Sequence, residues 1–459
     1  VVTDPAFKAT ADEARGDVYV AKNDMLHFKI LRNHTLNTYQ GSDGEEVDLP
    51  PVPITEHNVC SYVLIHKHME NIDDVYCSDK FDFSGPMDYD LMTGYRTKSM
   101  MVIPLENNKG MVVGVLQLLN AKDKNNQTIP FNKIFEKIFC SIASQAAIAV
   151  TNMQYTQDIK ELFQSLIMVL AAAIDERSPY NANHTKNVAD LVANFVDFVN
   201  LKHKNGQTKL FFDHEMREQM IISSWLHDIG KIITPLEIMD KSSKLGSKYN
   251  EINMRLNVAY YELKAKGADN ETDKEIFEQA ANEVLHVQEL ITRINNADQT
   301  DPNDLLEINK YADRTLTLPD GKVLPWITPD EFECLNIKYG TLTHDERKIM
   351  EDHVVITKRL LDKIKFTSEY KDVAFLAASH HERLNGSGYP NGLTAEQLPI
   401  PSRIITVMDI FDSLIAKDRP YKKAVPIKQA FKIIDKLVAK GDIDGEIVEL
   451  LKEQYRSKI

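Results

Sequence analysis

The sequence predicts a multidomain chain: an N-terminal α/β unit built on an antiparallel sheet, a long connector helix, and an all-α C-terminal unit with a helical insertion. Three observations predict it. Alternating or apolar runs suited to strands crowd the first third and become scarce after His184. Neither proline nor glycine interrupts Phe131 to Asp175. Helical periodicity then continues almost to the end. The expected boundaries are 1–152 for the α/β unit, 153–182 for the connector and 183–459 for the helical unit, with the insertion at 242–340.

The strand candidates are DVYVA, MLHFKILRN, SYVLIHKH, SMMVIPLE and GMVVGVLQLLN, and the polar turn ENNKG makes the last two a hairpin. An apolar helix, FNKIFEKIFCSIASQAAIAVTNM, closes the unit. YRTKSMMVIPLENNKGMVVGVLQLLNAKD followed by that Ala-rich helix resembles the second half of a GAF domain, a small ligand-binding or dimerising sensor module, over roughly residues 15–152. Asn120, Lys122 and Phe131 match the signature of cyclic-nucleotide-binding members, but no Asp-Glu pair follows at the family spacing. A small ligand and a purely dimerising role both stay open.

The stretch reads as one long helix with Ile142, Ala146, Val150, Leu162, Leu166 and Leu170 as its apolar positions, and a break near Asn152 stays open. Such a helix either pairs two chains in parallel or packs onto its own domain; a homodimer is the expectation. ERSPYNANH then supplies turn residues and a helix start. Within the insertion, NEINMRLNVAYYELKAKG and DKEIFEQAANEVLHVQELITRI read as a solvent-exposed helical hairpin, capped by the polar loop NNADQTDPNDL.

With 459 residues and 43% hydrophobic composition, two or three units can each bury a core. A formal charge of −14 excludes a general basic surface for long nucleic acid, though not a basic pocket for a small anion. Cys60, Cys77, Cys140 and Cys334 are far apart, which suits free thiols and a cytoplasmic setting. The longest apolar run, Leu166–Ile174, is too short to span a bilayer, so no membrane span is expected. The chain opens on Val, which leaves a preceding or processed segment open.

Chemistry concentrates in the helical unit. SSWLHDIGKI holds His227 and Asp228, EDHVV holds His353, ASHHERLNGSGYP holds His380 and His381, VMDIFDSL holds Asp409, and NANHTKNVA holds His184. His353 shares a helical stripe with Ile349, Met350, Leu360 and Leu361; His184 precedes Val188 and Leu191, and His380 follows Val373 and Leu376, at the same kind of spacing. Burying an imidazole without a partner costs roughly 1–3 kcal/mol. Convergence on one metal centre satisfies several imidazoles together. Imidazole and carboxylate without thiolate suit iron, manganese or zinc, and two such cations are a known solution for phosphate esters.

HDIGK and HHERLNGSGYP resemble, residue for residue, the signatures of the HD-GYP family of bacterial phosphodiesterases in the HD metal-hydrolase superfamily. The likeness extends over LTHDERKIMEDHVVITKRLL and SRIITVMDIFDSLIAKDRPYKKA. It implies His184, His227, Asp228, His353, His380, His381 and Asp409 as ligands of two divalent ions, Fe or Mn first, with Zn, Ni or Mg as alternatives. Asp228 would bridge them and hold a hydroxide nucleophile. Lys231 would neutralise a phosphate oxygen, and Arg383, Gly388, Tyr389, Arg419 and Lys422 would contact substrate. Gly386 and Pro390 shape the same loop. Some members place a Glu four residues before the first His ligand to help hold a third metal. Tyr180 stands there, so two metals are expected.

The activity implied is hydrolysis of a bis-(3′,5′)-cyclic dinucleotide, cyclic di-GMP or 3′,3′-cGAMP, to the linear dinucleotide. The alternatives are a catalytically silent receptor signalling through protein contacts, or another HD hydrolase acting on ppGpp or dNTPs. The intact Gly-Tyr-Pro loop argues against the last.

Overall fold

The computed structural model describes residues 15–33, 38–41, 47, 49–177, 183–269, 272–318, 320–416 and 425–456. The chain divides into two compact units, Val1–Leu162 and Phe163–Ile459.

The first unit is an antiparallel sheet flanked by helices. Its elements are β1 (Arg15–Lys22), β2 (Met25–Asn33), β3 (Thr38–Gln40), β4 (Val52–Pro53), α1 (Val59–His66), β5 (Glu70–Ile72), α2 (Ser84–Thr93), β6 (Met100–Glu106) and β7 (Val112–Leu119). The strand order is β3-β2-β1-β7-β6-β5, with β4 on β2. Both faces are covered, so successive side chains enter different cores. On one side Tyr19, Met100 and Val102 pack with Val59 and Val63 of α1. On the other, Met101, Ile103 and Leu105 meet Ala143 and Ala147 of α3 (Glu136–Asp175).

SYVLIHKH is helical and not the expected strand. The Asn58 side chain accepts from the Cys60 and Ser61 amides and caps α1, and Val59, Cys60, Ser61 and Val63 are buried. The β-branched content of the run yields to the cap and to packing on the sheet.

Helix α3 runs unbroken through Asn152 for 40 residues. By length and composition alone, Lys133–Asp175 could cross a membrane, which the shorter apolar run did not reveal. Its far end belongs to the second unit, where Ile167 packs with Ile222, Leu226, Leu361 and Val373.

The second unit comprises α4 (His184–Lys204), α5 (His214–Leu226), α6 (Leu236–Met239), α7 (Lys248–Asp269), α8 (Lys274–Asn295), α9 (Pro302–Ile308), a short hairpin of β8 (Thr315–Thr317) and β9 (Val323–Pro325), α10 (Pro329–Leu335), α11 (His344–Leu361), α12 (Val373–Ala378), α13 (Ile400–Ile415), α14 (Ile427–Ala439) and α15 (Gly445–Gln454). Val188, Val192 and Phe195 of α4 face Ile404, Met408 and Phe411 of α13 in its main core. The insertion is more than an exposed hairpin. Ile252 and Leu256 of α7, Val284, Val287 and Ile291 of α8, and Trp326 and Leu335 form a core of their own.

Candidate metal centre

Six elements converge on one point. His184 opens α4, His227 closes α5, Asp228 leads into a 3-10 turn at Ile229–Ile232, His353 lies within α11, His380 and His381 follow α12, and Asp409 lies within α13. All seven sequence candidates for ligands therefore meet. Ligand atoms of His184, His227 and Asp409 lie within 4.8 Å of one another, as do those of His353, His380 and His381. Asp228 stands between the two groups. Its Oδ2 is 3.2 Å from His227 Nε2 and 3.8 Å from His184 Nε2, and its Oδ1 is 3.3 Å from His353 Nε2 and 3.9 Å from His380 Nε2.

The tautomers follow from hydrogen bonds. Nδ1 of His227, His353 and His380 lies 2.7, 2.5 and 2.7 Å from the backbone carbonyl three residues earlier, of Ser224, Met350 and Ala377. A carbonyl only accepts, so each Nδ1 carries the proton and each Nε2 presents a lone pair to the centre. Those three Nε2 atoms and Asp228 Oδ1 are buried without a hydrogen-bond partner. Orphaned acceptors of this kind, all aimed at one point, fit a cation. Burial, reinforced by neighbouring imidazoles, pushes His380 well below its usual range and His381 down to about 3, against the pull of Asp228 and Asp409, so both stay neutral and able to ligate. Burial also opposes charge on Asp228 and Asp409. The Lys231 ammonium beside the first, and the His184 hydrogen bond on the second, nonetheless hold both well below the usual carboxylate range.

Thr357 locks the turn. Its Oγ1 donates to the His227 carbonyl and accepts from Gly230 N, both at 3.0 Å. A Cβ on Gly230 would fall 1.9 Å from the His353 carbonyl oxygen, so only glycine lets the turn touch α11. Lys231 Nζ sits 2.5 Å from Asp228 Oδ2. Arg177 Nη1 donates to the Lys231 carbonyl at 2.7 Å, and Asp175 accepts from Thr185 Oγ1 at 2.7 Å beside His184.

The loop after His381 folds back onto the centre. Glu382, 1% exposed, accepts from Asn391 N and Leu393 N at 2.8 Å each. A Cβ on Gly388 would meet Arg383 N at 2.3 Å, which is how the loop comes so close. The Tyr389 ring lies 4.8 Å from that of His381, centroid to centroid. Arg383 donates to the Glu382 carbonyl at 3.3 Å. Arg419, Lys422 and Tyr180 lie outside the described residues.

Sequence reasoning missed Asp412 and Glu382. Asp412 Oδ2 lies 2.7 Å from His184 Nδ1 and turns that ring's Nε2 toward Asp409. Burial works against charge on His184, but Asp409 and Asp412 together push it up to about 9. The only sequence signal was the i, i+3 spacing of Asp409 and Asp412, which places both on one face of α13. Asp412→Asn is expected to weaken divalent-metal affinity about 10–100-fold, as for other carboxylates that orient a ligating His. Chelator competition measures it; unchanged affinity would remove Asp412 from that role.

Comparison with known proteins agrees with this architecture. Residues 7–150 match the family model of the GAF domain, and 324–447 match that of the HD domain. The chain is 38% identical over 116 residues to a 3′3′-cGAMP-specific phosphodiesterase of Vibrio cholerae, covering 25% of this chain and 24% of that protein. It is 39% identical over 104 residues to a cyclic di-GMP phosphodiesterase of Thermotoga maritima, covering 23% and 28%. The chain thus spans about a quarter of the length of these curated relatives. A solved chain described as the structure of the GAF domain aligns at 16% identity over 30% of this chain and 65% of that one, with a TM-score of 0.21. The chain carries a GAF domain and an HD domain.

Proposed function

We propose that this GAF- and HD-domain chain is a metal-dependent phosphodiesterase that opens a bis-(3′,5′)-cyclic dinucleotide to the linear dinucleotide. Two copies form the functional unit, and the GAF domain serves as sensor or dimerising module. The free thiols fit a cytoplasmic setting. The carrying observation is the ring of buried, orphaned His Nε2 atoms around Asp228, closed by the Gly-Tyr-Pro loop.

In this reading His184, His227 and Asp409 hold one divalent ion, His353, His380 and His381 a second, and Asp228 serves both. When bound, such ions supply an acidified water and positive charge for phosphate oxygens. Lys231 Nζ, held at Asp228, adds a cation for a non-bridging phosphate oxygen. Tyr389 and Arg383 flank the scissile phosphate on the loop side, where a guanidinium suits bidentate phosphate or guanine contacts. Water adds to phosphorus, the 3′-oxygen leaves with a proton, and one cut gives the linear product.

The similarity of the first relatives to both substrate classes makes a paired assay the test. Protein loaded with Mn²⁺ or Fe²⁺ is incubated with cyclic di-GMP and with 3′,3′-cGAMP. The expected result is a linear dinucleotide from at least one of them. Tight binding of either without turnover in saturating metal would leave a silent receptor instead.

A further inference from the structure

The turn Ile229–Ile232 carries Lys231, and polar ties rather than apolar packing hold its far half. Ile232 and Ile233, which follow Lys231, are 49% and 53% exposed. Thr357 ties the near end through Gly230 N and the His227 carbonyl. One side chain ties the far end. Arg177 donates from Nη1 to the Lys231 carbonyl at 2.7 Å and from Nη2 to the Thr234 carbonyl at 3.3 Å. Among the described residues no other side chain bonds either carbonyl, and no carboxylate pairs with Arg177.

Arg177 is itself placed by the end of α3. Ile174 is buried, and Asp175 accepts from Thr185 N at 3.3 Å and from Thr185 Oγ1 at 2.7 Å. Two residues on, the guanidinium starts from an anchored backbone. Carbonyls at the end of a helical turn lack partners within it and carry a partial negative charge that favours a cation. A planar guanidinium bridges two of them with a rigid fork, whereas an ammonium is a point donor on a flexible stem.

We propose that Arg177 is a positioning residue for Lys231. It fixes the backbone from which the Lys231 side chain reaches Asp228, where Nζ lies 2.5 Å from Oδ2. The proposal rests on the reading of Lys231 as the cation for a non-bridging phosphate oxygen. Both terminal nitrogens of Arg177 are taken by carbonyls, so Arg177 serves the phosphate through Lys231 and not by contact. A lysine stem has many rotamers. A turn released at one end would spread its ammonium over positions away from the phosphate.

Titration calorimetry of inorganic phosphate into the Mn²⁺-loaded full chain tests this. Lys231→Ala is expected to weaken phosphate binding about tenfold, the loss of one charge-assisted contact. Arg177→Ala should weaken it nearly as much, with bound manganese unchanged, since every proposed ligand remains. The double variant should lose no more than the larger single loss, because the two residues act as one unit. Arg177→Lys, which keeps the charge but not the fork, should recover only part of the affinity. It also carries the same cycle, at a smaller loss, should the alanine variant not fold. Losses that multiply in the double variant, unchanged affinity in Arg177→Ala, or full recovery in Arg177→Lys would overturn the proposal. So would loss of manganese from both Arg177 variants, or a wild type that binds no phosphate. None of these readouts needs turnover, so a chain that leaves both cyclic dinucleotides intact fails the phosphodiesterase reading while the coupling of Arg177 to Lys231 is still measured.

Discussion

Asp228→Ala is expected to strip divalent metal from the purified protein and to lower turnover of a cyclic dinucleotide at least about 10³-fold, a loss of roughly 4 kcal/mol in transition-state stabilisation. Asp228 is 4% exposed, and its two oxygens lie within 3.9 Å of Nε2 atoms from four histidines. No neighbouring side chain can supply both oxygens, and Lys231 would lose its carboxylate partner in a largely buried site. The helical far-UV signal should persist, because the cores of the second unit are apolar and lie outside this cluster. Atomic absorption on the purified variant, paired with product analysis, measures both effects. Near-full turnover would show that the carboxylate does not serve the centre.

Gly230→Ala is expected to be the most destabilising single methyl in the site. The new Cβ would fall 1.9 Å from the His353 carbonyl oxygen and 2.7 Å from Thr357 N. Both are backbone atoms of α11, so the helix or the turn must move as a body. Overpacking of this kind costs about 1–3 kcal/mol or more. For a unit of this size that corresponds to a fall in melting temperature of roughly 2–12 °C. The displacement also breaks the Thr357 clamp on His227 and Gly230, so metal retention should fall with stability. Thermal unfolding followed by circular dichroism, with metal content measured beside it, is the check. An unchanged melting temperature with full metal content would show that the turn and α11 are not in register as described.

Much of the centre was legible because its chemistry is local in sequence. His-Asp and His-His doublets and the loop to Pro390 announce themselves, and His353 stands out as an imidazole on an apolar helix face. What stayed hidden depends on partners far away in sequence. Thr357 holds residues 127 and 130 positions upstream, and Asp412 turns a histidine 228 positions away. Glu382 gains its role only when Asn391 and Leu393 fold back over it. The misread of SYVLIHKH has a different cause: Val and Ile suit a strand, but one capping Asn58 and a sheet face to pack on suffice for a helix. The insertion was read correctly as helical, and its core was not foreseen because the residues of α7 and α8 that form it meet only after the chain reverses.

The most direct test is anomalous scattering at the manganese edge from crystals of the chain grown with Mn²⁺. Two peaks are expected, one among His184, His227 and Asp409 and one among His353, His380 and His381, with Asp228 beside both. Absence of any peak in that cluster, with manganese bound only elsewhere, would contradict a metal-dependent phosphodiesterase built on these residues.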